Sequence, residues 1–146
     1  MISSLEQGFR LDKQYRVLIC LECQACIIPR KIAIDRHLRK HGLKGEALKM
    51  LCSKFAEYDL VEPSEVQWPT AAQSPVLGLR IQEGYRCSVN CLYQTLHRPN
   101  MCRHVSAKHG LKPQRARAAG QYQKCLLQTF FVTKTNMRYF EVTPVC

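Results

Sequence analysis

Between Gly45 and Leu60 the apolar residues Leu48, Leu51, Cys52 and Phe55 fall at i, i+3, i+4 and i+7. That spacing lines them along one face of a 3.6-residue repeat and predicts an amphipathic helix over 45–60. Two other stretches carry the same period. Ile34 lies three residues before His37, and Met101 three before His104, so each pair shares a helix face. Gly42 and Gly110 directly follow His41 and His109, where a helix C-cap glycine belongs. Strand-like runs precede both helices. Tyr15 and Val17 lie ahead of Cys20, and Tyr85 ahead of Cys87, as the first strand of a hairpin would require. Ile27 or Ile28, and Leu96, supply the facing apolar residue. Pro63, Pro69 and Pro75 mark 61–83 as an extended linker, with Trp68 a candidate anchor. A short basic helix is expected from Pro113. The run 124–142 reads as two strands around Thr133-Lys134-Thr135-Asn136. Its aromatics Phe130, Phe131, Tyr139 and Phe140 suit hairpin packing, with a stacking platform for single strands as the weaker alternative.

The string KHGLK occurs twice, at 40–44 and 108–112. Around each copy, Cys and His recur with metal-ligand spacing. Cys20 and Cys23 are followed, after 13 residues, by His37 and His41; Cys87 and Cys91 are followed, after 12, by His104 and His109. Both read as Cys2His2 (C2H2) zinc-finger patterns. The spacing has a physical reason. A short loop brings two thiolates to one side of an ion, and histidines one helical turn apart project from one face. Zn2+ closes a tetrahedron from these four, and two such ions are expected. Cys26 offers a second C-x2-C pair with Cys23. It leaves only ten residues before His37, so Cys20 and Cys23 are preferred. Cys102 reads as a bystander, and Cys52, Cys125 and Cys146 as buried or free thiols. The expected fold is small α+β, with two separated ββα fingers. Zinc finger 1 is placed at 14–44, the helix at 45–60 and the linker at 61–83. Zinc finger 2 follows at 84–112, then a basic segment and C-terminal β-hairpin at 113–143.

Charge sharpens the picture. The 146 residues carry 22 Lys and Arg against 11 Asp and Glu, a net +11. No acid lies between Gly84 and Phe140, a one-sign block suited to a polyanion. The nine cysteines are an odd number, and the opening MISSLEQGFRLDK has neither a basic nor an apolar leader region. A reducing intracellular compartment is therefore expected, where clustered Cys and His usually mean metal. No apolar run approaches the ~18 residues of a membrane span, so no membrane partner is expected.

If each finger docks as DNA-reading fingers do, helix positions −1, 3 and 6 face bases. With the first zinc histidine at position 7, these are Arg30, Ala33 and Arg36, and then His97, Asn100 and Arg103. Arg suits guanine and Asn adenine. Lys31, Arg39, Lys40, Arg98 and Lys108 would meet phosphates. The leading expectation is a zinc-dependent nucleic-acid-binding protein, its partner double-stranded DNA and its location the nucleus. The alternative is a zinc-stabilised protein-interaction module, with the helix at 45–60 as the partner-binding face. The 45 residues between His41 and Cys87 favour independent fingers over a tandem reading array. Enzymatic activity is not expected. Four protein ligands leave no position for an activated water, and no Gly-rich phosphate loop is present.

The order of parts resembles a fungal domain family named after the orsellinic acid biosynthesis cluster protein D. The resemblance runs through VLICLEC at 17–23, IDRHLRKH at 34–41, GYRCSVNC at 84–91, CRHVSAKHG at 102–110 and the FF…YFEV ending at 130–142. It implies a zinc-finger-like domain, often described as C2H2-type, with no established biochemical activity. Similar domains occur beside helicase-like regions, which implies a nucleic-acid role. The chain departs from the pattern in its extra Cys26 and its brevity.

Overall fold

The computed structural model describes residues 6–88, 91–110 and 121–144. The helix expected from Pro113, most of the basic segment after it, Leu111, Lys112 and Cys146 lie outside the described residues. The fold is small α+β, and the chain divides into two compact units. The first comprises Met1–Gln67 with Phe130–Met137, the second Trp68–Thr129 with Arg138–Cys146.

The first unit holds an antiparallel three-stranded sheet of β1 (Phe9–Asp12), β2 (Val17–Cys20) and β3 (Ala25–Cys26), in that order. β2 is VLIC, buried at every position, which suits the central strand. β1 was not legible in the hydrophobic pattern; FRLD has one buried residue, Asp12. That carboxylate is satisfied locally. It accepts the backbone N–H of Tyr15 at 2.9 Å and Nη1 of Arg10 at 3.0 Å, and so fixes the turn between β1 and β2. Phe130 belongs to this unit, where its carbonyl accepts the Cys26 N–H at 2.7 Å and its ring lies 4.9 Å from Tyr15.

α1 (Lys31–Lys40) and α2 (Gly45–Ala56) complete the unit. Leu48, Leu51 and Phe55 of α2 are buried with Leu18, Ile27, Ile34 and Leu38 in one cluster. The apolar stripe of the 45–60 segment is therefore packed inside its own unit. Between the helices, Gly42 at φ +86° lets the Leu43 N–H return to the Leu38 carbonyl at 3.1 Å. This return closes the C-terminus of α1 and turns Leu43 onto the cluster.

The second unit holds a four-stranded antiparallel sheet in the order β5 (Gln94–Thr95), β4 (Gln82–Cys87), β6 (Tyr122–Thr129), β7 (Tyr139–Val142). β6 and β7 pair antiparallel as expected of the C-terminal hairpin, but β6 ends at Thr129 and β7 begins at Tyr139, so the expected turn at 133–136, closed by the Asn136 N–H on Thr133 O at 2.9 Å, is only part of a longer connection. Gly84 sits where strands crowd: a Cβ there would lie 2.8 Å from the Thr95 carbonyl oxygen. α3 (Arg98–His109) packs through Met101 and Val105 on Cys87 and Tyr122.

The Pro-containing segment, expected to be extended, instead includes a 3-10 turn at Pro63–Glu65 and is anchored at 76–79. Gln128, fully buried in β6, donates from Nε2 to the carbonyls of Val76 and Leu79, both at 3.0 Å. Its Oε1 accepts the Val76 N–H at 2.8 Å. Trp68 meets Phe140 edge-on at 6.2 Å, under the Arg138 guanidinium. Phe130, Phe131 and Phe140 are all buried, so their rings are core and not a stacking platform.

Candidate metal centres

The first donor group forms because β2 ends in a tight knuckle. The Gln24 N–H bonds the Cys20 carbonyl at 2.7 Å, with Gln24 at φ 57°, and this brings Cys23 back beside Cys20. α1 then presents His37 and His41 from one face. Nε2 of His41 lies 3.5 Å from Cys20 Sγ, 3.3 Å from Cys23 Sγ and 3.1 Å from His37 Nε2. Cys23 Sγ lies 3.9 Å from His37 Nε2. In the second group, Cys87 ends β4 and Cys91 follows after three intervening residues. His109 Nε2 lies 3.4 Å from Cys87 Sγ and 3.6 Å from Cys91 Sγ, and His104 Nε2 lies 3.2 Å from Cys91 Sγ. In each group all four donor atoms lie within 4.8 Å of one another.

These distances can be tested against an ion. A tetrahedron with ordinary Zn–S and Zn–N bond lengths has S–N edges of about 3.6 Å and N–N edges of about 3.3 Å. The sulfur–nitrogen separations, 3.2 to 3.9 Å, straddle the first value, and the His37–His41 separation of 3.1 Å lies just below the second. Two groups of two thiols and two imidazoles could thus each hold a metal ion, and the four residues present fit one. The electrostatics agree in part. Burial, with His41 and Lys40, pushes the His37 imidazole down toward its neutral, ligating form. Burial, with His109 and Lys108, does the same at His104. Burial pushes the Cys20 thiol up, so a metal must displace its proton.

The remaining cysteines stand apart from both groups. Cys26 is buried in β3, its thiol pushed up by burial and then by Asp12. Cys102 is half-buried against the α3 cluster. Cys52 is half-buried on α2, and Cys125, pushed up to about 11 by burial, is half-buried on β6.

Two neighbours of the donors were missed in the sequence. Glu22, inside the first knuckle, places Oε2 3.1 Å from Nδ1 of His41. Tyr93 stacks on His104, the ring centroids 4.1 Å apart and the planes 10° from parallel. An acid between two ligand cysteines was the available signal for Glu22. Nothing marked Tyr93.

The residues expected to meet nucleic acid divide by helix. On α1, Arg30 occupies the N-cap and is held bidentately by Glu62, at 3.0 and 3.3 Å. Arg39 is paired with Asp35 at 2.9 Å, while Arg36 and Lys40 are exposed. On α3, His97 is the exposed N-cap residue. Arg103 and Lys108 are exposed, and Arg103 donates to half-buried Asn100. Arg98 donates to the Tyr122 hydroxyl at 3.3 Å. Arg98, Tyr122, Tyr85 and Lys124 line a cleft of about 350 Å³. Among the described residues, no carboxylate pairs with any cation of α3. No described helix is long and apolar enough to cross a membrane.

Comparison with known proteins agrees with this layout. The family model described as Orsellinic acid/F9775 biosynthesis cluster protein D matches residues 7–110, which include all eight clustered donors. The Emericella nidulans protein of that description is 36% identical over 134 residues, 91% of this chain and 25% of its own length. The chain thus spans about a quarter of that relative. No solved structure matches. On the family match and this identity, the chain belongs to the orsellinic acid/F9775 biosynthesis cluster protein D family.

Proposed function

We propose that the chain is a zinc-dependent nucleic-acid-binding protein whose two Cys2His2 sites are structural ββα fingers, and that α3 makes its principal contact with duplex DNA. Tetrahedral S2N2 donor sets suit zinc. When bound, the ion supplies a closed cross-link and no open coordination position, so the chain is not an enzyme in this reading. The observation that carries the DNA contact is the acid-free face of α3. His97, Asn100 and Arg103 sit at positions −1, 3 and 6, with Arg98 and Lys108 beside them. The nearby cleft adds Lys124, so two cations and two tyrosines line it with no carboxylate among them. A nuclear location follows from this reading alone.

Salt dependence tests it. Binding of the zinc-loaded chain to random duplexes should weaken steeply between about 50 and 200 mM salt, as phosphate contacts predict. Arg98→Ala should lower the slope of log K against log salt by about one, at every sequence tested. Absence of binding at low salt defeats the proposal.

A protein-interaction role for the first unit is the second reading. Two of its expected DNA contacts, Arg30 and Arg39, are already paired with acids, and Ile32 is 74% exposed at the rim of a groove between α1 and α2. Wild-type DNA affinity unaffected by Arg36→Ala and Lys40→Ala together fits that division.

A further inference from the structure

The two donor groups differ at the far side of one histidine. His41 is the C-cap residue of α1, and its N–H is shared between the carbonyls of His37 at 3.3 Å and Leu38 at 3.1 Å. Its backbone is thus at the loosening end of the helix. Its ring is held from outside. Glu22 Oε2 lies 3.1 Å from Nδ1, on the nitrogen that points away from the other donors. A carboxylate oxygen there can accept from an Nδ1–H, and it favours the tautomer that carries the proton on Nδ1. In that tautomer the lone pair is on Nε2, the nitrogen that faces Cys20, Cys23 and His37. Among the described residues, no carboxylate pairs with His104 or His109 of the second group. Its knuckle, Ser88-Val89-Asn90, contains no acid.

We infer that Glu22 is a positioning residue for the first metal site: it orients His41, fixes its tautomer and raises the affinity of that site for zinc. Carboxylates on the second nitrogen of a ligating histidine orient the ring and increase its basicity. Glu22 suits the role in another way. Its side chain is 80% exposed, so its removal opens no cavity and leaves the apolar cluster intact. The inference rests on the metal-binding part of the proposed function and is independent of the DNA contact.

The test uses the full chain and reads both sites in one sample. Zinc-loaded protein is equilibrated with increasing chelator, pulsed with an alkylating reagent, and each cysteine is quantified by mass spectrometry. Wild-type Cys20, Cys23, Cys87 and Cys91 should be protected by zinc; if none is, the metal reading itself fails. In Glu22→Ala, the midpoint for Cys20 and Cys23 should move to about tenfold higher free zinc. Glu22→Gln keeps an acceptor without the charge and should move it less. Cys87 and Cys91 should keep their wild-type midpoint, and buried Cys26, outside the donor set, should stay protected in the zinc-loaded form. In the zinc-loaded wild type, the His41 Nδ1 proton should exchange slowly by NMR, and this protection should vanish in Glu22→Ala. The inference is overturned if Glu22→Ala leaves the Cys20 and Cys23 midpoint in place. It is equally overturned if Cys26 is exposed in the zinc-loaded variant, because the residue then acts on the fold and not on the ligand.

Discussion

Around Cys20, Cys23, His37 and His41 the apolar cluster reaches well beyond the donors. Leu18, Ile27, Ile34 and Leu38 meet Leu48, Leu51 and Phe55 of a second helix, with Phe9, Leu43 and Leu60 packed at the edge. Around Cys87, Cys91, His104 and His109 the buried cluster is Cys87, Met101, Val105 and Tyr122. One of those four is itself a donor; Tyr85, Cys91, Tyr93 and Cys102 pack at the cluster's edge, and among the described residues no helix but α3 contributes to it. The donor sets are chemically the same, yet the apolar cluster that holds α1 is the larger and includes a second helix. A structural zinc site contributes about 10–16 kcal/mol of apparent binding energy, and where little else holds the element that energy is its folding energy. Metal dependence should therefore be unequal: strong for α3, weaker for α1.

Chelation gives the largest effect. On removal of metal, amides of α3 should lose hydrogen-exchange protection almost completely, while those of α2 and the first half of α1 keep most of theirs. His109→Ala should reproduce the α3 result with zinc present and leave Cys20 and Cys23 metal-bound. Loss of protection in α1, α2 and α3 at the same chelator concentration breaks the comparison.

Leu51→Ala comes next. Leu51 is fully buried between the helices, so truncation costs about 2–5 kcal/mol from lost burial and the cavity left behind. With zinc present the first unit should stay folded. After chelation, α1 should now exchange as freely as α3, since its metal-independent support has been cut. Unchanged exchange in metal-free Leu51→Ala means that α2 does not support α1.

Much of this contrast was legible in the chain, and the limits are instructive. The i, i+3, i+4, i+7 spacing of Leu48, Leu51, Cys52 and Phe55 located α2, because a stripe of that period can only be a helix face. The ligand spacings located both donor groups, because they encode a knuckle and a helical turn. The sequence also favoured Cys20 over Cys26 by loop length, and the structure puts Cys26 in β3 outside the donors. β1 was missed because Phe9–Asp12 buries a carboxylate where a strand pattern calls for hydrocarbon. The anchoring of residues 76–79 was missed because it depends on Gln128, a polar residue 49 to 52 positions away that looks solvent-exposed by type. The pairing of Arg30 with Glu62 was missed for the same reason: spacing along a helix says nothing of an acid that returns from a later loop.

The smallest effect isolates the backbone from everything else. Gly42 has φ +86° and Gly110 φ +66°, each just past the last histidine of its helix, and a Cβ at either position would meet nothing within 4 Å. Alanine there adds no clash, only the cost of holding an L-residue in the left-handed region, about 1 kcal/mol. What that cost does to metal affinity depends on the metal-free state. If the end of α3 is unformed without zinc, the penalty appears only on binding, and Gly110→Ala should weaken the second site about fivefold. If the Gly42 turn persists without zinc, because Leu43 stays packed on the Leu48–Leu51–Phe55 cluster, both states bear the penalty and it cancels. Gly42→Ala should then leave the first site's affinity nearly unchanged while lowering the stability of its unit by the full amount. The two substitutions carry the same strain into the same position of equivalent motifs. An equal loss of zinc affinity at both sites would show that hydrocarbon around α1 does nothing for it before the metal arrives.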